Sequence, residues 1–365
     1  MERLKKAHRL RELVLPEGID FTSNDYLGLA SHPALRETAI AALEADGMVG
    51  AGGSRLLRGH HPAHARLEDF AAGFFGAQKA LFMGGGFVAN YALFSTLCER
   101  HDAVVFDERV HASVKEGIHA SSASRYRARH NDLDSFESMI CRAREKGARR
   151  VFVAIESIYS MDGDAAPLEG LDAVARRHEA VLVVDEAHAT GVFGPRGRGL
   201  GETLHNENWI TLHTGGKALG VYGALICASG EIIDYLINKS RPFIYSTAPP
   251  PYLAATLQRA LELVDEEPWR RERVLKLADW ASNAFSSLGP QRSSGSQIIP
   301  IVLGEAERTL KVARALQDSG FDVRAVRPPT VPEGTSRLRI SIHANHSEET
   351  ITALADALRI AVGAL

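Results

Sequence analysis

Between residues 60 and 245, short apolar runs alternate with longer stretches of helical periodicity. The runs occupy 80–83, 103–106, 151–155, 181–184, 210–213 and 224–228, and the helical stretches 63–75, 87–97, 133–146 and 168–178. Continuous apolar runs of strand length, separated by amphipathic helices, predict a mainly parallel sheet covered on both faces. Beyond residue 250 the texture changes. The cluster Pro249–Pro251 leads into long helical stretches reaching Ser287, then a strand at 298–303, a helix at 308–319, strands at 321–326 and 337–342, and a last helix at 348–362. At the other end, Leu4, Ala7, Leu10 or Arg11 and Val14 fall at helical spacing, so a short N-terminal helix ended by Pro16 is expected. The organisation read from this is an N-terminal segment over 1–45, a large α/β domain over 46–265 and a small α+β domain over 266–365.

In open parallel sheets, ligands bind beyond the carboxyl ends of the strands. The first run is followed by Gly84-Gly85-Gly86-Phe87, opening a helix, and the second by Asp107 and then His111-Ala112-Ser113. The third leads to Glu156 and Ser160-Met161-Asp162-Gly163-Asp164, the fourth to Asp185-Glu186-Ala187-His188, and the fifth to Thr214-Gly215-Gly216-Lys217. Each has an ordinary structural explanation: a tight turn, a cap, a half-buried imidazole, a solvated loop lysine. Five strand ends delivering glycine amides, two histidines, hydroxyls, a carboxylate and a lysine to one edge are harder to explain that way.

Composition narrows the classes without naming one. The chain is 45% hydrophobic and 24% charged, with net charge −3, so neither nucleic acid nor an anionic membrane is an expected partner. No apolar run approaches the ~20 residues of a membrane span. The three cysteines, Cys98, Cys141 and Cys227, are odd in number and far apart, which argues against a disulfide framework and for a reducing compartment. The first residues, MERLKKAHRLREL, lack the apolar region of a secretory signal, and a cytoplasmic protein is expected.

Three familiar motifs are weighed against this set. Gly84–Ala89 fits G-x-G-x-x-A, so a nicotinamide-binding fold is possible, but that fingerprint normally opens the first βαβ unit and its acidic ribose partner about 20 residues on would have to be Asp102 or Asp107. The string Asp185-Glu186-Ala187-His188 resembles that of helicase-type NTPases, yet Gly216-Lys217 is followed by Ala218 and lies downstream, not upstream. Asp185 and His188 bring no third metal ligand at convincing spacing, so no metal is expected. Pyridoxal phosphate asks for the whole set: amides and hydroxyls for its phosphate, a lysine amine for its aldehyde, a carboxylate for its pyridine nitrogen, and a flat histidine on its ring. Asp185, Lys217, His111 and His188 meet those needs.

The chain resembles the α-oxoamine synthases, fold-type-I pyridoxal-phosphate enzymes of aminotransferase-like architecture with a seven-stranded sheet. They condense an amino acid with an acyl thioester and release CO₂. The resemblance runs from Ser23-Asn24-Asp25-Tyr26-Leu27-Gly28-Leu29 to the final strand, through Gly50–Arg55, Ser160–Asp164, Asp185–Gly191 and Tyr245-Ser246-Thr247. The block Arg327–Arg339 is most similar to members that join L-alanine to a pimeloyl thioester, carried on coenzyme A or acyl carrier protein, in biotin biosynthesis. Glycine- or serine-using members and a non-catalytic homologue are the alternatives. The resemblance implies that Lys217 carries the cofactor, Asp185 pairs with the pyridine nitrogen, His188 contacts the phenolic oxygen and His111 stacks on the ring. Gly86, Phe87, Ser160 and Thr214 would hold the cofactor. Ser246 and Thr247 would reach the phosphate of the other subunit of a homodimer. Asn24, Thr330, Arg339 and Arg11 (or Arg9) would contact substrate, with Arg339 taking the amino-acid carboxylate. Two departures stand out: the N-terminal part is short, and Gly85 occupies the place of a usual serine.

Overall fold

The computed structural model describes residues 1–6, 8–203, 208–286 and 295–363. Ala7 and Ser287, invoked above for helix spacing and a helix end, lie outside the described residues. The chain divides into two compact units, one of Leu27–Tyr159 and Ala166–Trp269, the other of Met1–Tyr26, Ser160–Ala165 and Arg270–Leu365.

The larger unit is built on seven strands: β1 (Lys79–Met83), β2 (Ala103–Asp107), β3 (Ser124–Ala128), β4 (Val151–Glu156), β5 (Val181–Asp185), β6 (Trp209–Thr214) and β7 (Ala224–Ala228). Their order is β1-β7-β6-β5-β4-β2-β3. Only β7 runs against its neighbours, pairing antiparallel with both β1 and β6. It therefore brings β1 into the same direction as the rest, and the carboxyl ends of β1, β2, β4, β5 and β6 share one edge. Every residue of β4 is buried, as a strand covered on both faces requires, which is why these strands read as unbroken apolar runs. The edge strand β3 escaped the sequence reading. Ser124-Arg125-Tyr126-Arg127-Ala128 is polar because an edge position leaves much of it in water.

The smaller unit carries a three-stranded antiparallel sheet in the order Ala325–Val326, Ser336–Ser341, Ile298–Gly304. Leu338, Ile340 and Ile342 enter its core beside Phe21, Leu277, Phe285 and Leu354. The single strand expected over 321–326 is two short ones, because Phe321–Asp322 pairs with Ile19–Asp20 while Ala325–Val326 pairs with Ser336–Ser341. The N-terminal helix is also shorter than expected. It covers Glu2–Lys6 only, and Leu13, Val14 and Leu15 are exposed, so no apolar face is buried to extend it. The excursion Ser160–Ala165 belongs to this unit. It turns at Gly163, whose φ is +72° and whose Cβ would fall 2.3 Å from the Ile298 carbonyl oxygen.

Candidate active site

At the shared carboxyl edge of the larger unit lies a cavity of about 220 Å³, lined by residues that five strands deliver. Gly85, Gly86 and Phe87 arrive after β1, His111 after β2, Glu156 at the end of β4, Asp185 and His188 at and after β5, and Thr214 and Lys217 at and after β6. The expected neighbours Asp185, Lys217, His111 and His188 thus share one cavity.

Local structure explains each placement. Helix Gly86–Leu97 starts directly behind the glycine turn, so its first amides have no partner within the helix and line the cavity. Gly86 cannot be larger without rearrangement, since a Cβ there would lie 2.6 Å from Thr214 Cγ2. The Thr214 hydroxyl is buried and makes no hydrogen bond among the described residues. A buried hydroxyl without a partner is costly and points to an acceptor brought by a ligand.

Asp185 is buried, and both carboxylate oxygens are held. Oδ1 accepts from the Ala187 amide at 2.9 Å and Oδ2 from Asn90 Nδ2 at 2.7 Å. His111 is the N-cap of helix Ala112–Ala120 and not a residue within the helix. Its Nδ1 accepts the Ser113 amide at 3.2 Å, so the neutral ring carries its proton on Nε2. The outer side of His111 is exposed, yet the protein packed around the ring lowers its pKa. Burial is the main cause, the Asp185 charge opposes it, and Lys217 and Lys115 add to it. The ring of Phe87 meets it edge-on at 6.5 Å.

The smaller unit holds other expected residues. Arg339 is buried; its Nε donates to the Ser160 carbonyl at 2.6 Å, Nη1 to Ser341 Oγ at 2.8 Å, and Nη2 to Tyr26 Oη at 3.1 Å. Tyr26 Oη in turn donates to Asn24 Oδ1 at 2.9 Å, which links Asn24 to Arg339. Among the described residues Arg339 has no acidic partner, whereas Arg337, on the same face of the strand, pairs with Asp162. Arg11 donates to Thr330 Oγ1 at 2.8 Å, joining two expected substrate contacts, while Arg9 pairs with Glu333. Ser246 and Thr247 are exposed and do not line the cavity of the larger unit. Sequence reasoning gave no role to Asn90 or Tyr222 and quoted Ser113 and Tyr26 only as members of their motifs. Asn90 carried a signal as the first polar side chain after the apolar start Phe87-Val88-Ala89 of its helix.

A fold with one inserted antiparallel strand, and a lysine, an aspartate and two histidines at its carboxyl edge, defines a class of pyridoxal-phosphate enzyme. The chain belongs to the family of class I and II aminotransferases, whose pattern it matches over residues 16–358. It is 41% identical to the 8-amino-7-oxononanoate synthase of Chromobacterium violaceum over 367 aligned positions, covering 97% of this chain and 95% of that protein. The 8-amino-7-oxononanoate synthase of Anaeromyxobacter dehalogenans is 42% identical, with 93% and 85% covered. Among solved structures, a serine palmitoyltransferase from S. paucimobilis with bound PLP superposes with a TM-score of 0.90 at 30% identity, covering 95% of this chain and 89% of that one. An 8-amino-7-oxononanoate synthase from Francisella tularensis gives 0.81 at 27% identity, with 95% and 98% covered. The architecture is fold type I, the cofactor is pyridoxal 5′-phosphate, and the chain is an acyltransferase of the α-oxoamine synthase kind. The cavity fits that cofactor: helix-start amides and an unpartnered hydroxyl suit a phosphate, and a doubly anchored carboxylate suits a ring nitrogen.

Proposed function

We propose that this enzyme condenses L-alanine with a pimeloyl thioester, on coenzyme A or acyl carrier protein, to give 8-amino-7-oxononanoate, CO₂ and the free thiol in biotin biosynthesis. The observation that carries the reading is the meeting of Asp185, Lys217, His111 and His188 in one cavity at the strand ends. When bound, the cofactor supplies an aldehyde that takes up amines and a protonated ring that accepts the electron pair of the bond broken at the α-carbon.

The residues do the rest. Lys217 would hold the cofactor through Nζ, and as a free amine the same Nζ would remove the α-proton of alanine. The Asp185 carboxylate keeps the proton on the ring nitrogen, since a nearby anion favours the charged pyridinium. His188 would hydrogen-bond the phenolic oxygen, and Gly86, Phe87, Thr214 and Ser160 would hold the cofactor. His111, neutral and protonated on Nε2, would cover the cofactor ring and donate to the thioester carbonyl oxygen as negative charge develops there. Arg339 receives the alanine carboxylate, which departs as CO₂ once the carbon–carbon bond has formed and the thiol has left. Its burial with no acidic partner among the described residues supports that role. Asn24, Arg11 and Thr330 contact substrate. The working unit is a cytoplasmic homodimer in which Ser246 and Thr247 reach the partner's phosphate. Their exposure, and that of neighbouring Tyr245, supports this. Among the described residues, no helix is long and apolar enough to cross a membrane.

The superposition on serine palmitoyltransferase favours a second reading, a serine-using synthase, whereas the higher sequence identity favours alanine. The test is the absorption spectrum of the purified protein before and after each amino acid, followed by product analysis with pimeloyl thioester. A spectral change and product with L-alanine are expected. Turnover with serine or glycine but not alanine would overturn the choice of substrate. Lys217→Ala should lose the lysine-bound absorption and turnover, and a fully active, coloured variant would refute its role.

A further inference from the structure

Asn90 is buried in the first turns of helix Gly86–Leu97, among residues that are otherwise apolar. A buried amide in such a place needs partners, and it spends both of its hydrogens on the active site. Nδ2 donates to Asp185 Oδ2 at 2.7 Å and to Ser113 Oγ at 3.1 Å. Ser113 Oγ lies 2.7 Å from His111 Nδ1. Because Nδ1 already accepts the Ser113 amide, the serine hydroxyl also donates to it, and the chain runs in one direction from Asn90 through Ser113 to His111. Asn90 Oδ1, by contrast, is buried with no hydrogen-bond partner among the described residues. Turning the amide over would put that oxygen against the Asp185 carboxylate, so the orientation is set by electrostatic repulsion and the orphaned oxygen is its consequence.

We infer that Asn90 is a positioning residue that holds the Asp185 carboxylate in the orientation required by a ring nitrogen and, through Ser113, ties the His111 ring to the same frame. Asp185 and His111 come from β5 and from the start of helix Ala112–Ala120, elements with no covalent reason to keep register. A single amide between them makes the carboxylate and the stacking ring one unit. The inference rests on the pyridoxal-phosphate reading of the cavity.

The experiment compares two ligands on the cofactor-free protein: pyridoxal phosphate, and its 1-deaza analogue, in which C–H replaces the ring nitrogen. Dissociation constants are measured by equilibrium titration for wild type, for the near-isosteric Asn90→Leu and for Asn90→Ser. Loss of a hydrogen bond to a charged carboxylate should weaken pyridoxal phosphate by about ten- to a hundredfold. The analogue has no nitrogen to present to Asp185, so only the part of the loss that passes through Ser113 and His111 remains and its affinity should fall at least fivefold less. Equal losses for both ligands would make Asn90 a packing residue and overturn the inference, as would an unchanged affinity for pyridoxal phosphate. A wild type that binds both ligands alike would overturn it together with the assignment of Asp185, which separates the two failures. If Asn90→Leu does not fold, Asn90→Ser is read against the same pair of ligands.

Discussion

Replacing Arg339 by methionine should change stability little and alanine binding greatly. The guanidinium has five N–H donors, of which three are placed, on Ser160, Ser341 and Tyr26, all uncharged acceptors. Burying an ion without a counter-charge costs several kcal/mol, and three hydrogen bonds from the charged guanidinium return about 4.5 to 9 kcal/mol. The two nearly cancel, so the ligand-free variant should lie within about 2 kcal/mol of wild type. Substrate binding is different, because a carboxylate would complete the charge balance. Losing about 3 kcal/mol of charge-assisted hydrogen bonding corresponds to a KM for alanine raised roughly a hundredfold. Denaturant unfolding of the ligand-free proteins and steady-state kinetics measure the two halves. Arg337→Met is the internal contrast: it removes the ion pair with Asp162, so it should destabilise the chain while leaving the alanine KM within a fewfold. An Arg339 variant destabilised by more than about 4 kcal/mol with an unchanged alanine KM would show the guanidinium to be a structural brace and refute the reasoning.

Three further outcomes are expected. Asp185→Asn must set an amide N–H against either Ala187 N–H or Asn90 Nδ2. It should retain bound cofactor at saturating concentration yet lose most turnover, and a wild-type rate would end the assignment of Asp185. Gly86→Ala, crowding Thr214 by its new methyl, should weaken cofactor binding by about tenfold, consistent with the roughly 1–3 kcal/mol cost of overpacking; an unchanged dissociation constant would refute the close approach. Glu186 is fully buried beneath donors from Ser157, Leu200 and Gly201, and burial raises its pKa from 4.5 to about 7 against those hydrogen bonds. Between those values the folded chain keeps a proton that the unfolded chain has released, so this group's contribution to stability falls as pH rises through the window. The loss amounts to about 3 kcal/mol, and Glu186→Gln should escape it. Unfolding curves of the two proteins that stay parallel from pH 5 to pH 8 would contradict this.

The chemistry was legible in the sequence because parallel strands are covered on both faces. Such strands must be apolar throughout, so the first polar residues after each one stand out, and Asp185, His188, Thr214 and Lys217 announce themselves. Alternation along Ser336–Ser341 likewise put Arg337 and Arg339 on one face and Leu338 and Ile340 on the other. Which of the two arginines keeps an unbalanced charge was not legible. That depends on Asp162, 175 positions away, and on the folding of Ser160–Ala165 against the smaller sheet. Strand order, the reversal of β7 and the polar edge strand β3 were equally hidden, since hydrogen-bond pairing leaves no mark on composition. The pairing of Asn90 with Asp185 spans 95 positions and exists only because helix Gly86–Leu97 packs where β5 ends. Local patterns record which face of an element avoids water. They carry no record of which distant groups that burial brings within hydrogen-bonding distance, and for this protein that is where the carboxylate, the imidazole and the unpaired guanidinium acquire their roles.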